Sequence, residues 1–215
     1  MTSASRNKNI EIWERIYKSN QGFLGYPDDN LVRFGFRLIN PKTHPNVLDY
    51  GFGAGSNMIH LIDRGFELSG VEVSESAIRT VSGRLRQARK AAELRSVQDG
   101  IIPFGDDSFD AVVAWQVLYY NDWTTLSLAL SEIDRVLKPG GVFIGTLAAP
   151  GDFSHINSIP LGNDLYESTV PGQQGATILI LDKDRLPECF PGKKIRIGHF
   201  GYEFDGRASK HWIIT

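Results

Sequence analysis

Two hydrophobic periods take turns along residues 46–147, and this alternation constrains the fold more than any other feature of the chain. Residues 47–50 follow Pro45 as a short apolar run, the pattern of a strand buried on both faces. Met58, Leu61 and Ile62 then recur at helical spacing until Gly65 stops them. Residues 68–73 predict a second strand, after which Ser74 can cap a helix through Ala77, Ile78, Val81 and Leu85 to about Ala92. A weak third strand is predicted over 94–98 and a strong fourth over 111–115. Leu126, Ala129, Leu130, Ile133 and Leu137 mark an amphipathic helix, which Pro139-Gly140-Gly141 ends before a fifth strand over 142–147. Strands alternating with helices imply a parallel sheet covered on both faces and joined by right-handed crossovers. Segments 195–204 and 211–215 are strand-like, and the link between them is too short for a crossover helix, so they predict an antiparallel hairpin. The expected fold is α/β and doubly wound, a mostly parallel seven-stranded sheet with a C-terminal antiparallel hairpin.

The 215 residues suit a single domain. Within it, 46–147 is the expected core, 1–45 a helical, aromatic cap carrying Trp13, Tyr17, Phe23 and Tyr26, and 194–215 the hairpin. Residues 150–181 read as a long connection holding Pro, Gly, Asn and His155, and a loop that long is more often functional than idle. The net charge of -2 disfavours nucleic acid as principal partner, since phosphate contacts need clustered Lys and Arg. Arg79, Arg84, Arg86, Arg89 and Lys90 read as the solvated face of one helix. The lone Cys189 excludes an internal disulfide and fits a reducing compartment. With no apolar leader and no 18-residue apolar run, a soluble, cytoplasmic protein without a membrane partner is expected.

The loop Asp49-Tyr50-Gly51-Phe52-Gly53-Ala54-Gly55 falls where the first strand gives way to the first helix. Glycines there permit a tight turn and bring a ligand close to backbone amides at a helix start. Glu72 ends the second strand 23 residues after Asp49, about where nucleotide-binding sheets of this kind place an acid for ribose hydroxyls. A dinucleotide fingerprint would need glycine at position 56, where the chain has Ser56. The carboxylate of Asp49 would repel a pyrophosphate and attract an ammonium group. The loop therefore suits an amino-acid-bearing nucleoside.

In these blocks the chain resembles the class I, Rossmann-like S-adenosylmethionine-dependent methyltransferases over roughly residues 46–147. Residues 47–55 resemble the family's first motif and 65–74 its second. Residues 99–110 are similar to the segment between the third and fourth strands, and 135–141 to the turn into the fifth. The resemblance implies that Gly51, Gly53 and Gly55 wrap the methionine moiety, with Asp49 near its ammonium and Asn57 alongside. It places Glu72 on the ribose hydroxyls and Val73 on the adenine. It assigns the adenine amino group to Asp99, with a backbone amide from Gly100 or Ile101. Trp115 stands at the methionine end, and Tyr17 loosely matches a tyrosine near the cofactor carboxylate. Phe52 and Trp115 are bulkier than usual, which narrows the pocket.

Methyl transfer to oxygen or nitrogen must also remove a proton, so a general base is sought past the strand ends. Candidates are Tyr119, Tyr120, Asp122, Asp152, His155 and Tyr166. His155 leads because an ordinary histidine titrates near neutrality, and Tyr119 and Tyr120 follow. His44, His60, His199 and His211 read as structural, and no metal-ligand spacing appears. The expected activity is methyl transfer to a small-molecule acceptor, with 150–181 and 1–45 covering the cleft. The alternatives are an NAD(P)-dependent oxidoreductase and a non-catalytic cofactor-binding module on the same fold.

Overall fold

The computed structural model describes residues 4–19 and 25–215; Phe23 lies outside the described residues. Two helices come first, α1 (Ala4–Lys18) and α2 (Asp29–Leu38). The alternating core follows: β1 (Asn46–Tyr50), α3 (Ser56–Asp63), β2 (Glu67–Glu72), α4 (Glu75–Gln87), β3 (Glu93–Ser96), β4 (Phe109–Ala114), α5 (Trp123–Val136) and β5 (Leu137–Ala148). Beyond it lie α6 (Phe153–Ile156), β6 (Ser158–Gly162), β7 (Leu165–Ser168), β8 (Thr177–Leu179), a 3-10 helix (Lys183–Cys189), β9 (Ile197–Phe204) and β10 (Arg207–Ile214).

The main sheet has seven strands in the order β3-β2-β1-β4-β5-β10-β9, parallel from β3 to β5 and antiparallel at β10. Side chains alternate across it. Val47, Ala111 and Val113 pack with Leu31, Met58, Leu61, Val81 and Leu85. Leu48, Val112 and Ala114 pack with Leu126, Ile133 and Val136. Strand order reverses between β1 and β4, which opens a crevice at their carboxyl ends.

Several boundaries differ from the sequence expectation. The helix capped by Ser74, whose Oγ accepts from the Ala77 amide at 3.1 Å, ends at Gln87 rather than near Ala92. The third strand is Glu93–Ser96, short of Gln98. The helix before β5 ends at Val136, three residues before Pro139; Lys138, which precedes the proline, is driven to extended backbone, so Pro139-Gly140-Gly141 lie within β5. The hairpin turn is only Asp205-Gly206, both at positive φ (+50° and +72°), and the second strand starts at Arg207. Residues 150–181 are not a bare connection. They carry α6 and an antiparallel three-stranded sheet, β6-β7-β8, tied to the main sheet by a bridge between Ala148 and Ile180.

Candidate functional site

The chain turns from β1 into α3 through Gly51, Gly53 and Gly55, at φ +72°, +50° and +74°. A Cβ on Gly51 would strike Val117 in the loop after β4, and one on Gly55 would come within 2.7 Å of Val81 on α4. A Cβ on Gly53 would strike the phenol oxygen of Tyr17 on α1. Gly51 and Gly55 are thus required by close packing, while Gly53 faces the cleft. The seating of Gly51 is completed by its amide, which donates to the Val71 carbonyl at 2.8 Å.

Two acids stand beside this turn. The Glu72 carboxylate accepts from three backbone amides: Oε2 from Gly53 at 2.9 Å, and Oε1 from Val73 at 2.7 Å and Ser74 at 3.1 Å. It clamps the glycine turn to the end of β2. Asp49 is 2% exposed, and among the described residues its Oδ2 has no hydrogen-bond partner. Burial, reinforced by the charge of Glu72, pushes the Asp49 carboxyl up to about 7. Burial also raises Glu72, against the three amides that favour its ionised form. A buried acid with an unpartnered oxygen is costly unless a donor or cation reaches it.

Helix α1 roofs the crevice. Glu14 accepts from Ser74 Oγ at 2.7 Å, from Ser76 Oγ at 2.5 Å and from the Ser76 amide at 3.0 Å, fixing the helix to the start of α4. Asn9, 4% exposed, donates Nδ2 to the carbonyls of Tyr120 (2.7 Å) and Thr177 (2.9 Å), while Oδ1 accepts from the Thr177 amide (2.8 Å). The small sheet and the loop after β4 are thereby stitched to α1. Arg6, Ile10, Trp13 and Tyr17, spaced four, three and four residues apart, line the cleft as one helical stripe.

Beneath this roof the cleft has two lobes that share Trp13, Tyr17, Gly51, Gln116 and Tyr120. The inner lobe, about 100 Å³, is lined by Glu72, Val73, Val97 and Gly100 among others. The outer lobe, about 410 Å³, is lined by Gly53, Asn57, Trp115, Tyr119, Asp28 and Gln173 among others. The expected residues therefore fall into sets. Tyr17, Gly51, Gly53, Asn57, Glu72, Val73, Gly100, Trp115, Tyr119 and Tyr120 line the cleft, and Asp49 is buried at the foot of the glycine turn. Gly55 stands behind the turn as the cap position of α3. Asp99 is exposed, at φ +50°, and the Ile101 amide already donates to the Gln98 carbonyl at 2.9 Å, with the Ile101 side chain 49% exposed. Asp122 caps α5 through the Thr125 amide at 2.8 Å, and Asp152, 3% exposed, accepts from the amides of Ser154 and Lys210, each at 2.8 Å. His155 lines neither lobe; its Nδ1 accepts from the Gly151 amide at 3.0 Å and its ring meets Tyr166 edge-on. Among the described residues no group of three or more His, Cys, Asp or Glu stands close enough to hold a metal ion.

Gln116 and Asp28 line the cleft without having been singled out from the sequence. Gln116 holds φ +54°, a strained value for a side-chain-bearing residue, with its amide donating to Thr146 Oγ1 at 2.7 Å. Nothing in the sequence signals that conformation. Asp28 caps α2 by accepting from the amides of Asn30 (2.9 Å) and Leu31 (3.3 Å), and Pro27-Asp28 before a helical run was the available signal. Trp13 and Tyr26 line the cleft as the expected aromatic cover from the N-terminal segment.

The family described as a methyltransferase domain matches residues 48–145. A Mycobacterium tuberculosis protein named as an uncharacterized methyltransferase is 27% identical over 141 residues, covering 66% of this chain and 53% of its own length. The chain spans about half the length of the first curated relatives it matches. A SAM-dependent methyltransferase from Methanosarcina mazei superposes with TM-score 0.70 at 18% identity, covering 84% of this chain and 94% of that one. A Burkholderia thailandensis 1,6-didemethyltoxoflavin N1-methyltransferase, solved with its acceptor and S-adenosylhomocysteine, gives TM-score 0.59 at 14% identity over 96% of this chain and 76% of that one. At such identities the solved structures speak to the fold alone, while the sequence match falls on the same strands, turn and acids that form the cleft. Over residues 48–145 the chain matches the methyltransferase-domain family, on a fold shared with Rossmann-like S-adenosylmethionine-dependent methyltransferases.

Proposed function

We propose that this chain transfers the methyl group of S-adenosylmethionine to a small-molecule acceptor in the two-lobed cleft. The observation that carries the reading is Asp49, a buried acid whose Oδ2 lacks a donor at the foot of a glycine turn that Gly53 keeps open. An ammonium group supplies that donor and the compensating charge together. In this reading Val73, Val97 and Gly100 flank the adenine. Glu72 receives the ribose: Oε1 already accepts two amides and Oε2 one, so in this arrangement one lone pair remains for a single hydroxyl. The inner lobe at about 100 Å³ is smaller than ordinary small-molecule sites of ~300 Å³ or more, so entry of a nucleoside requires α1 to shift outward.

When bound, the cofactor supplies a methyl group on a positively charged sulfonium, and positioning an acceptor against it accounts for about 7–11 kcal/mol at best. Tyr119 and Tyr120 hold their protons at neutral pH, since burial raises Tyr119 well above its ordinary range and pushes Tyr120 up to about 12. They serve as hydrogen-bonding walls that orient the acceptor. The partial roof formed by α1 and Pro171-Gly172-Gln173 supports a small acceptor, because it narrows access for large substrates. The test is transfer of tritiated methyl from S-adenosylmethionine into a cell extract split by size. Label in the fraction below ~3 kDa is expected; label confined to protein or RNA would contradict the small-molecule assignment.

A further inference from the structure

The outer lobe has a chemical bias that the cofactor reading leaves unexplained. Trp13, Tyr17, Tyr26, Trp115, Tyr119 and Tyr120 give it aromatic walls. Among its described lining residues Asp28 alone is charged. Oδ1 of Asp28 is committed to the cap of α2, whereas Oδ2 accepts only a long bond from Gln116 Nε2, at 3.4 Å, among the described residues. Trp115 is 5% exposed and stacks on Phe200 at 5.4 Å, yet its indole Nε1 has no partner. The lobe therefore offers flat faces and one under-used carboxylate oxygen, with the Trp115 indole N–H buried behind its wall. The nearby Arg15 guanidinium is directed to the Gly172 carbonyl on the exposed side, at 3.4 Å.

Resting on the methyl-transfer reading, we infer that the acceptor is a planar aromatic or heteroaromatic molecule, uncharged or cationic, that donates an N–H or O–H to Asp28 Oδ2. Aromatic walls favour a flat ring and stabilise a cation over their faces. A carboxylate facing a low-dielectric lobe repels an anionic ligand, and here no lining cation offsets it. An acceptor bearing a carboxylate or phosphate near the ring is disfavoured on the same ground. The volume of about 410 Å³ accommodates one or two fused rings beside the methionine end of the cofactor.

Three probes differing chiefly in charge test this: tryptamine, indole and indole-3-acetate, titrated by calorimetry into the chain saturated with S-adenosylhomocysteine. Tryptamine and indole are expected to bind, with indole-3-acetate weaker than tryptamine by about tenfold or more. Asp28→Asn, which keeps a good helix cap, should weaken tryptamine about tenfold, leave indole-3-acetate no weaker, and leave S-adenosylhomocysteine within about twofold. Equal or tighter binding of the anionic probe, or no saturable binding by any of the three, overturns the inference. A parallel loss of S-adenosylhomocysteine affinity in Asp28→Asn also overturns it, by assigning Asp28 to the cofactor's ammonium. Failure of the unaltered chain to bind S-adenosylhomocysteine sinks the methyl-transfer reading instead, and is seen before any probe is added.

Discussion

The inner lobe sets Arg6 and Asn9 of the roof over strand ends and turn backbone, Gly51, Glu72, Val73 and Gly100, with three amides locked onto the Glu72 carboxylate. The outer lobe shares the glycine turn from Gly51 to Asn57 and adds side chains from four separated segments, around Tyr17, Asp28, Trp115 to Tyr120, and Pro171 to Gln173. The difference teaches where each kind of recognition is encoded. A constant ligand is read by short-range geometry in consecutive turns, which tolerates little change. A variable one is read where distant loops meet, and those loops can differ without disturbing the sheet.

The comparison breaks first at Gly53. Gly53→Val places a branched side chain at φ +50° against the Tyr17 hydroxyl and should lower S-adenosylhomocysteine affinity at least about a hundredfold. Far-UV circular dichroism should stay near the unaltered chain's, because Asn9 and Glu14 hold α1 independently. Normal binding would show that the turn is only a turn.

Asp49 gives the next largest effect, and a pH signature. Its carboxyl lies near 7 in the folded chain against an ordinary value of 3.8, so the folded state holds the proton longer than the unfolded one. Its contribution to stability is therefore greatest below about pH 4 and falls as pH rises through 7. A bound ammonium offsets that loss by pairing with the ionised form. S-adenosylhomocysteine affinity should thus rise about tenfold from pH 6 to pH 8, with a growing shift in melting temperature. Asp49→Asn should weaken binding by about 10- to 100-fold at pH 8 and flatten the profile. An unchanged slope in that variant would remove Asp49 from the site.

Asn9→Ala sharpens the comparison from the roof. It leaves the buried groups of Thr177 and the Tyr120 carbonyl without their partner, at a cost of about 1–3 kcal/mol. Limited proteolysis should cut within α1 faster while the core stays intact, and cofactor affinity should fall by less than in Asp49→Asn. Equal protection with and without the asparagine would mean the roof is held elsewhere.

The smallest of these effects is expected at Arg135. Its guanidinium reaches the carbonyls of Ile102 and Phe104 (each 2.9 Å) and pairs with Glu132, which also accepts from the Ile102 amide at 2.9 Å. This network pins the loop after Gly100. Arg135→Gln should weaken cofactor binding by no more than about threefold while lowering melting temperature, since Glu132 loses the partner that holds its carboxyl below the usual range. A large loss of affinity with unchanged melting would contradict a purely supporting role.

The inner half of this account was legible because its signals are local. Gly51, Gly53 and Gly55 mark a turn that admits no side chain, and the acids sit at the ends of two apolar runs. The hairpin was legible because the six residues 205–210 cannot hold a crossover. The outer half was not, for physical reasons tied to particular residues. The positive φ of Gln116 follows from its hydrogen bond to Thr146, 30 residues away. The conversion of 150–181 into a sheet depends on pairing between β7 and β8 across residues 169–176, and its anchor is Asn9. His155 drew attention as a lone titratable group, yet a four-residue helix turns it onto the Gly151 amide.

The central claim is that the cleft between β1 and β4 is built for a methionine-bearing nucleoside. Isothermal titration of the unaltered chain at pH 8 with S-adenosylmethionine, S-adenosylhomocysteine and NAD tests it most directly. The account predicts saturable micromolar binding of both methionine nucleosides, about -8 kcal/mol, and none by NAD. Saturable NAD binding with no response to either methionine nucleoside would contradict it.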